Sequence, residues 1–471
     1  MLNSPIKSCG AQRSSIEKIQ PRLTIPNYEP IENVEISVFP FDSLADNIMR
    51  TIDRVNQSGK SEKIFASTMS YGNSLAQAWN DFFRENRQHV FLALDAALSF
   101  STFQSSLLAR AYSEHPSIYI VPIIGGGLFE SIYHWKFVVP ETSNYASLSG
   151  MNLSLPSRAQ YLDLIYHFSD AEVVQELRSY YEQMLEHNCQ RRDDYQCLVD
   201  FMVPTVSDQV LLKKMFDRSC ELFLTRQSSS SAVAKYFLQP QLHDISYLLK
   251  TKIRQAKQEI VVVMHKFSDS SLMDELHSAQ QRGIRVVVIT GTHPRVKSSS
   301  LVKGLVDYDS LGNSDRGFSP HMKIVIFDQT ELFFGTGNLS RNALSDSAEL
   351  YAITKNQRAI DSTLAQVKNL LYLAGDQRYK NIESTLPPEQ WLLIQRHYSS
   401  DQAQAAARDL QRVAQFIAPG KFVHDRLRKI NAGARQILAN CGLDRLQIIH
   451  EKDLLRCQAT ADIQTLDLAT H

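Results

Sequence analysis

Two copies of one pattern of ionisable and amide side chains dominate the chemistry that this sequence can support. The first copy comprises His134, Lys136, Glu141, Asn152 and Asp163, and the second comprises His321, Lys323, Asp328, Asn338 and Glu349. In each copy an acid follows the histidine by seven residues, and a second acid follows the asparagine by eleven. Imidazoles can attack an electrophile or transfer protons, while ammonium and amide groups can stabilise developing negative charge. The repeated spacing therefore predicts two related halves that each supply one set of such groups.

The sequence around these residues resembles that of the phospholipase D superfamily. The segment HMKIVIFD (321–328) followed by GTGNLS (335–340) is similar to the family signature of HxK, four residues, Asp and then GxxN. The segment HWKFVVPE (134–141) followed by SGMNLS (149–154) is a looser copy, with Glu141 for the usual Asp and Ser149 for the usual Gly. The resemblance covers roughly residues 35 to 375, apart from an insert between the halves. It implies two α/β lobes with pseudo-two-fold symmetry that share one active site.

The residue types are those needed to cleave a phosphodiester. Two lysines and two asparagines can donate to the non-bridging oxygens, where negative charge develops. One neutral histidine can attack phosphorus while the other, protonated, gives its proton to the leaving oxygen, so that a phosphohistidine forms. By resemblance to the family His134 attacks and His321 is the acid, although the sequence alone does not order them. Because the lysines supply the positive charge, we expect no metal and no cofactor.

Strand parity separates these residues into two groups. Residues two apart on a strand face the same side, so His321 and Lys323 share a face, as do His134 and Lys136. Glu141 and Asp328 lie an odd number of residues away and are expected to be structural. By the same parity Trp135 and Met322 are expected to be core residues. Asp163 and Glu349 are expected to orient the imidazoles by accepting their second ring proton, as the acid does in a serine-protease triad.

The order of apolar segments predicts an α/β architecture. Helical spacing at Ser43 to Val55 and strand patterns at Lys63 to Met69, His89 to Leu94 and Ile118 to Ile124 are repeated in the second half. There, helices at His243 to Ala256 and Ser271 to Arg282 alternate with strands at Glu259 to Met264 and Ile284 to Thr290. A helix is also expected at Ser74 to Arg84. Such alternation is typical of parallel βαβ units.

The sequence pattern divides the chain into five segments. They are an N-terminal arm (1–33) that is not a packed element, a first lobe (34–168), a helical insert and linker (169–232), a second lobe (233–380) and a helical C-terminal region (381–471). An apolar stripe in the last segment comprises Val423, Leu427, Ile430, Ala434 and Ile437, with basic residues around it. This stripe predicts either a helix that packs on the core or one that lies on a membrane surface.

The composition limits which binding partners and which cellular compartment are expected for this chain. The 471 residues carry 50 basic and 50 acidic side chains. This balance argues against non-specific binding of nucleic acid, which needs an excess of basic groups. The six cysteines form no CxxC pair and are expected to be reduced thiols of a cytoplasmic chain. His265 beside Lys266 has no partner at zinc-like spacing. If the chain binds membranes, it is expected to do so as a peripheral protein. Export of the chain as an effector is an alternative that the sequence does not exclude.

Three functions remain open on the sequence. The first is head-group hydrolysis of phospholipids or phosphatidyl transfer to another alcohol. The second is a metal-independent nuclease that uses the same histidines, and the third is a catalytically inactive interaction module. A nuclease is expected to show a basic channel, and none is concentrated near either HxK motif. The intact pairs of HxK and Asn argue against the inactive module. Protein partners and the lipid head group are not determined.

Overall fold

The computed structural model describes most of the two predicted lobes and the segment between them. The described residues are 28–38, 44–59, 62–69, 89–95, 118–123, 133–152, 161–203, 205–224, 235–290, 319–373, 422–423 and 448–449. The predicted helix at Ser74 to Arg84 lies outside these residues. So do residues 228–231 of the predicted linker and most of the C-terminal region.

The first sheet has seven strands, in the order β1-β8-β6-β5-β2-β3-β4. They are β1 (Val34–Val38), β2 (Ile64–Ser67), β3 (Val90–Asp95), β4 (Ile118–Ile123), β5 (Phe137–Pro140), β6 (Ala146–Ser149) and β8 (Leu164–Phe168). Strands β2, β3 and β4 are parallel, as the βαβ pattern predicts. The strands from β5 to β1 pair antiparallel, so the sheet is mixed rather than purely parallel. The reason is that β5 and β6 are joined by a short turn, which only antiparallel neighbours permit.

The second sheet repeats this arrangement with six strands, in the order β11-β10-β13-β14-β15-β9. They are β9 (Phe237–Leu238), β10 (Glu259–Met264), β11 (Arg285–Thr290), β13 (Lys323–Phe327), β14 (Glu331–Gly335) and β15 (Tyr351–Thr354). Strands β10 and β11 are parallel, and the remaining pairs are antiparallel. Two shorter pairs complete the described strands: β7 (Tyr161–Leu162) with β12 (Ser319–Pro320), and β16 (Phe422–Val423) with β17 (Ile448–Ile449).

Eight helices are present in the described part of the chain. They are α1 (Leu44–Gln57), α2 (Ala171–Gln190), α3 (Arg192–Met202), α4 (Val206–Leu224), α5 (Ile245–Gln255), α6 (Ser270–Gln281), α7 (Arg341–Ser345) and α8 (Gln357–Leu373). The segment between the sheets is helical, as expected, and α2 begins where the Asp170 carboxylate accepts from the backbone amides of Glu172 and Val173. No described helix combines the length and the apolar character needed to cross a membrane.

The elements form layers with both sheets inside. One apolar cluster joins side chains of α1, α3 and α4 to the outer face of the first sheet, and another joins α5 and α6 to the outer face of the second. The largest cluster contains residues of both sheets together with residues of α2 and α8. At its centre the rings of Tyr166 and Phe334 stack with centroids 4.1 Å apart. Because each sheet is covered on both faces, central strands such as β10 carry continuous apolar runs, here IVVVM (260–264).

Three expectations from the sequence are wrong within the described residues. The end of the N-terminal arm is packed, because Ile31 is fully buried and its backbone amide donates to the carbonyl of Ile353 at 2.8 Å. Cys189 and Cys220 form a disulfide between α2 and α4, and are not reduced thiols. Val423 lies in a two-residue strand rather than in a helix. In each case the partner is distant in sequence, so no local pattern could indicate it. The other residues of the predicted apolar stripe lie outside the described residues, and the division into domains remains a prediction.

Phe334→Ala tests whether the apolar layer between the sheets holds the fold together. Removing this buried ring should leave a cavity and lower the free energy of unfolding by about 3–5 kcal/mol. Urea denaturation followed by circular dichroism measures the change. Leu242→Ala is the control, since Leu242 is 44% exposed and its truncation should cost about 0.5 kcal/mol or less. Equal losses for the two variants would contradict the layered packing.

Candidate active site

The first HxK motif is fixed by contacts with both lobes. Tyr133, directly before His134, forms a parallel bridge with Ala348, and the amide of His134 donates to the Ala348 carbonyl at 3.0 Å. The Tyr133 amide donates to the Asp95 carboxylate at 2.7 Å, so the segment is also tied to the end of β3. The next residue along the partner strand is Glu349, whose carboxylate lies 2.8 Å from His134 Nδ1. The first motif is thus aligned with the acid of the second half.

The second HxK motif is fixed in the same way. Pro320, directly before His321, pairs in parallel with Leu162, and Asp163 follows Leu162. Asp163 Oδ2 lies 2.7 Å from His321 Nδ1. Each histidine therefore contacts the acid of the opposite half, and the backbone register that aligns them is the same in both. A carboxylate at Nδ1 fixes the tautomer so that Nε2 is the nitrogen available for chemistry.

The two lysines are buried beside these pairs. Lys136 is fully buried and Lys323 is 2% exposed, and each Nζ donates to the backbone carbonyl of its own motif histidine at 2.6 Å. Burial lowers the pKa of Lys323 to about 8, opposed by the charges of Asp163 and Glu349. Burial likewise lowers the pKa of Lys136 well below its usual value, opposed mainly by Glu349. The acids of both halves thus help to keep the buried ammonium groups charged.

The pKa values of Asp163 and of both motif imidazoles differ from their ordinary values. Burial raises the pKa of Asp163 to about 7, although the nearby Lys323 opposes this shift. Burial lowers the pKa of His134, and Glu349 opposes that change by favouring the imidazolium. The pKa of His321 falls further, because burial acts together with Lys323 and His265. Strong shifts of this kind in a cluster of acids and bases are typical of catalytic sites.

Both asparagines follow the strand beside their HxK motif. Asn152 lies three residues beyond β6, and Asn338 lies three residues beyond β14, as predicted. The Oδ1 of Asn338 accepts from the backbone amide of Lys266 at 3.1 Å. This contact commits the amide oxygen to the backbone, so its Nδ2 group is the one left to donate towards a ligand.

Glu141 and Asp328, which follow the motif histidines by seven residues, lie in turns. Their contacts are structural, as the sequence predicts. The Asp328 carboxylate accepts from the backbone amides of Lys257, Gln258 and Glu259 at 2.7–3.1 Å. Burial raises its pKa, but these hydrogen bonds outweigh burial and the pKa is lowered overall. Glu141 accepts from the backbone amide of Lys63 at 3.0 Å, which is the corresponding contact in the first half. Both acids thus tie the turn after their HxK strand to the start of the neighbouring strand.

Strand register also explains the unequal histidine-to-asparagine gaps. Phe137 pairs with Leu148 in the first sheet, and Ile324 pairs with Phe334 in the second. The first turn therefore contains one residue more than the second. Beyond the turns the two halves are again in register, which makes Asn152 equivalent to Asn338.

The core residues within the motifs also lie where parity predicts. Trp135 and Met322 are 5% and 0% exposed, and both belong to the apolar cluster between the sheets. They anchor the peptide on the face opposite to the histidine and lysine side chains.

His265 lies at the site although neither motif contains it. Its ring centroid lies 4.7 Å from that of His321, with the rings tilted by 48°. His265 directly follows β10, and β10 pairs antiparallel with β13 so that Met264 faces Lys323. The end of β10 therefore meets the start of the HxK strand. A polar residue directly after the strand that neighbours an HxK strand is the sequence signal that could have indicated it.

Two family models match parts of the chain. Residues 249–371 match the model described as cardiolipin synthase, PLD-like domain, and this range contains His321, Lys323, Asn338 and Glu349. Residues 168–301 match the model described as scaffolding anchor of CK1 domain, a range that contains neither HxK motif. No curated protein matches the chain.

Solved structures show weak overall similarity. A polyphosphate kinase from Porphyromonas gingivalis aligns at 13% identity and a TM-score of 0.47, covering 81% of this chain and 55% of the kinase, so the chain spans about half of that protein. A phosphatidylserine synthase from Haemophilus influenzae Rd KW20 aligns at 14% identity and a TM-score of 0.47, covering 79% of this chain and 95% of the synthase. Nuc from Salmonella typhimurium, a phospholipase D family member, aligns at 18% identity and a TM-score of 0.24, covering 27% of this chain and 86% of Nuc. Similarity at this level supports no conclusion about activity.

The raised pKa of Asp163 can be measured directly. With ¹³C labelling, the Asp163 carboxyl carbon should titrate near pH 7, and Lys323→Met should move this pKa upwards, because the lysine favours the ionised form. Asp328 in the same spectrum is the internal control and should titrate below its usual range. If the Asp163 carboxyl titrated near pH 4, or if its pKa fell in Lys323→Met, the proposed burial of Asp163 beside Lys323 would be wrong.

Proposed function

Because this chain belongs to the phospholipase D superfamily, we propose that it cleaves phosphodiester bonds of phospholipids. Its two halves, related by a pseudo-two-fold axis, form one shared active site, and the reaction passes through a covalent phosphohistidine. The products are those of head-group hydrolysis or of phosphatidyl transfer to another alcohol. The catalytic groups are His134, Lys136 and Asn152 of one half and the corresponding His321, Lys323 and Asn338 of the other.

One observation carries this proposal: the exchange of acids between the halves. His134 contacts Glu349 at 2.8 Å and His321 contacts Asp163 at 2.7 Å, so neither half has a complete histidine–acid pair of its own. A carboxylate at Nδ1 orients the ring and stabilises its cationic form, which is the form present after attack and in the proton donor. Two histidines supported in this way suit the two roles that the reaction requires.

The proposed reaction has two steps. In the first, the Nε2 lone pair of one neutral histidine forms a bond to phosphorus, the bond from phosphorus to the leaving oxygen breaks, and the other histidine gives its Nε2 proton to that oxygen. In the second, the now neutral proton donor takes a proton from water or an alcohol, whose oxygen bonds to phosphorus as the nitrogen–phosphorus bond breaks. Both histidines return to their starting states.

Lys136 and Lys323 stabilise the charge that accumulates on the non-bridging oxygens. Both are buried, where an ammonium group stabilises nearby negative charge far more than in water. The side-chain amides of Asn152 and Asn338 add hydrogen-bond donors. The acids Glu141 and Asp328 support the turns behind the HxK strands and do not act on the phosphate.

Three features favour a phospholipid as substrate. The model that matches residues 249–371 is named for cardiolipin synthase. The chain has no net formal charge, whereas non-specific binding of nucleic acid needs a local excess of basic groups. Beyond Val423, the sequence at Leu427, Ile430, Ala434 and Ile437 carries apolar residues at helical spacing with basic neighbours, a pattern that suits a membrane surface. We propose peripheral contact with membranes.

A second candidate function is a scaffold without catalysis. The match of residues 168–301 to the model named scaffolding anchor of CK1 domain favours it. That range ends before the second HxK motif and begins after Asp163, so the match does not bear on the catalytic residues. The paired lysines and histidines at the site would have no role in a scaffold, and for this reason catalysis is the function that we propose.

A direct assay separates these functions from a nuclease. Purified protein is incubated with mixed phospholipid vesicles, and separately with single- and double-stranded DNA, all in the presence of EDTA. Lipid products alone support the proposal, and cut DNA alone supports a nuclease. The absence of both products supports the scaffold.

Single substitutions of the two motif histidines test the shared site. His134→Ala and His321→Ala should each lower turnover by about 10³-fold or more, because each half supplies one member of the acid and nucleophile pair. Thermal melting should show that both variants fold. His450→Ala is the matched control, since His450 belongs to a third HxK sequence without the acids and asparagine that follow the other two. Near-normal turnover in either motif variant would exclude a site made by both halves.

Resistance to chelators tests the role of the lysines. Turnover in the presence of EDTA should equal turnover without it, because Lys136 and Lys323 supply the positive charge that metal ions supply in other phosphodiesterases. Lys323→Met should lose activity that added magnesium or zinc does not restore. Inhibition by EDTA that is reversed by either metal would contradict this mechanism.

A further inference from the structure

The acids that support the two motif histidines have different surroundings. Glu349 accepts a hydrogen bond from the Thr336 hydroxyl at 2.6 Å in addition to its contact with His134. Strand register makes Gly150 the equivalent of Thr336, because Ser149 pairs with β8 where Gly335 pairs with β15. A Cβ at Gly150 would lie 2.7 Å from Asp163 Oδ2, so no hydroxyl side chain fits there. Glu349 thus has a side-chain hydrogen-bond donor beside it, and the equivalent position beside Asp163 provides none.

Positive charge is also distributed unequally. Lys323 Nζ lies 2.8 Å from His321 Nδ1 as well as 2.6 Å from the His321 carbonyl. The His265 ring packs against His321 on the same side of the site. In the first half the position equivalent to His265 is Met69, because Ser67 pairs with Phe137 as Val263 pairs with Ile324. His321 thus has a second histidine beside it, whereas the residue at the equivalent register position of the first half is a methionine, Met69.

We propose that the two motif histidines have fixed and different roles: His321 is the neutral nucleophile, His134 is the protonated general acid, and His265 is a positioning residue that keeps His321 uncharged. This inference rests on the proposed phosphodiesterase function and adds the order of the two residues. It reverses the order implied by resemblance to the family, in which the histidine of the first motif attacks.

Electrostatics favours this order. The groups that face His321 are Asp163, Lys323, Lys136, His134 and His265, of which only Asp163 can be an anion. Burial raises the pKa of Asp163 to about 7, so near neutral pH this group only partly offsets the positive groups around His321. His134 also faces Lys136 and Lys323, but the charge and hydrogen bond of Glu349 favour its imidazolium form, so its pKa falls less than that of His321. A nucleophile must hold a free lone pair and an acid must hold a proton, so each histidine has the surroundings that its role requires.

The first step can then be written with named groups. The His321 Nε2 lone pair bonds to phosphorus, and the leaving oxygen departs with the Nε2 proton of His134. The His321 ring becomes cationic as its Nδ1 proton remains directed at Asp163, whose carboxylate compensates this charge. In the second step neutral His134 takes a proton from water or an alcohol, whose oxygen displaces His321 from phosphorus.

A substrate that needs no general acid separates the two roles. In bis(p-nitrophenyl) phosphate the leaving group departs as an anion, so loss of the acid should spare the first step. His134→Ala should release a rapid burst of about one nitrophenolate per site, followed by slow turnover, because no base then activates water. His321→Ala should give no burst. A burst in His321→Ala, or no burst in His134→Ala while the wild-type enzyme turns over, would overturn the assignment.

The covalent intermediate provides a second measurement on the natural class of substrate. Wild-type enzyme is quenched at alkaline pH during turnover of phosphatidyl lipid vesicles, and peptides are mapped by mass spectrometry. We expect the adduct on the peptide that contains His321. An adduct on the His134 peptide, or none on either peptide of an active enzyme, would overturn the proposal. An enzyme that acts on neither substrate would instead contradict the proposed function itself.

The pH profile tests the role of His265. The low-pH limb of kcat/KM should move to higher pH by about one unit in His265→Ala, because a neighbouring imidazole no longer opposes protonation of the His321–Asp163 pair. His265→Lys, which places a positive charge at this position, should leave the limb at or below its wild-type position. Met69→Ala is the matched control from the first half and should not move it. An unmoved limb in His265→Ala, or equal movement in all three variants, would contradict the positioning role.

Discussion

The crossed pairing of two buried histidines with two buried carboxylates is the interaction on which the rest of the structure depends. His134 and Glu349 belong to different halves, as do His321 and Asp163, and all four residues are at most 9% exposed. A buried charge that loses its partner costs several kcal/mol, so neither half can bury its histidine and acid favourably without the other. The two histidine–acid pairs therefore restrict how the two sheets can align.

The apolar layer between the sheets makes that alignment possible. Tyr166 lies two residues after β8 begins, three positions from Asp163, and it stacks on Phe334 of β14. The strand that follows Asp163 and the strand that leads to Asn338 thus also carry core residues. Close packing in this layer fixes the separation of the two HxK motifs, because interiors tolerate little displacement. Hydrophobic burial holds the sheets together, and the polar pairs specify their register.

Near-symmetry of the two halves extends to backbone register but not to the groups around the histidines. The bridges Tyr133 to Ala348 and Pro320 to Leu162 are equivalent, and each is followed by a histidine–acid contact. Beyond those contacts the halves differ. The Thr336 hydroxyl donates a hydrogen bond to Glu349, whereas the equivalent Gly150 packs so close to Asp163 that no side chain fits there. Enzymes assign acid and base roles by placing like groups in unlike surroundings. The unlike surroundings of the two histidine–acid pairs are of this kind.

The sequence by itself determined the two HxK motifs, the strands and helices beside them, and the structural role of Asp328. These are encoded locally, by residue type, by periods of 2.0 and 3.6 residues, and by spacing within one motif. Tertiary structure decided which acid meets which histidine, since the partners are 215 and 158 residues apart. It also placed His265 beside His321, packed Ile31 and joined Cys189 to Cys220. Such contacts depend on how sheets and helices pack, and the energy that selects them comes from burial shared by segments that are remote in the chain.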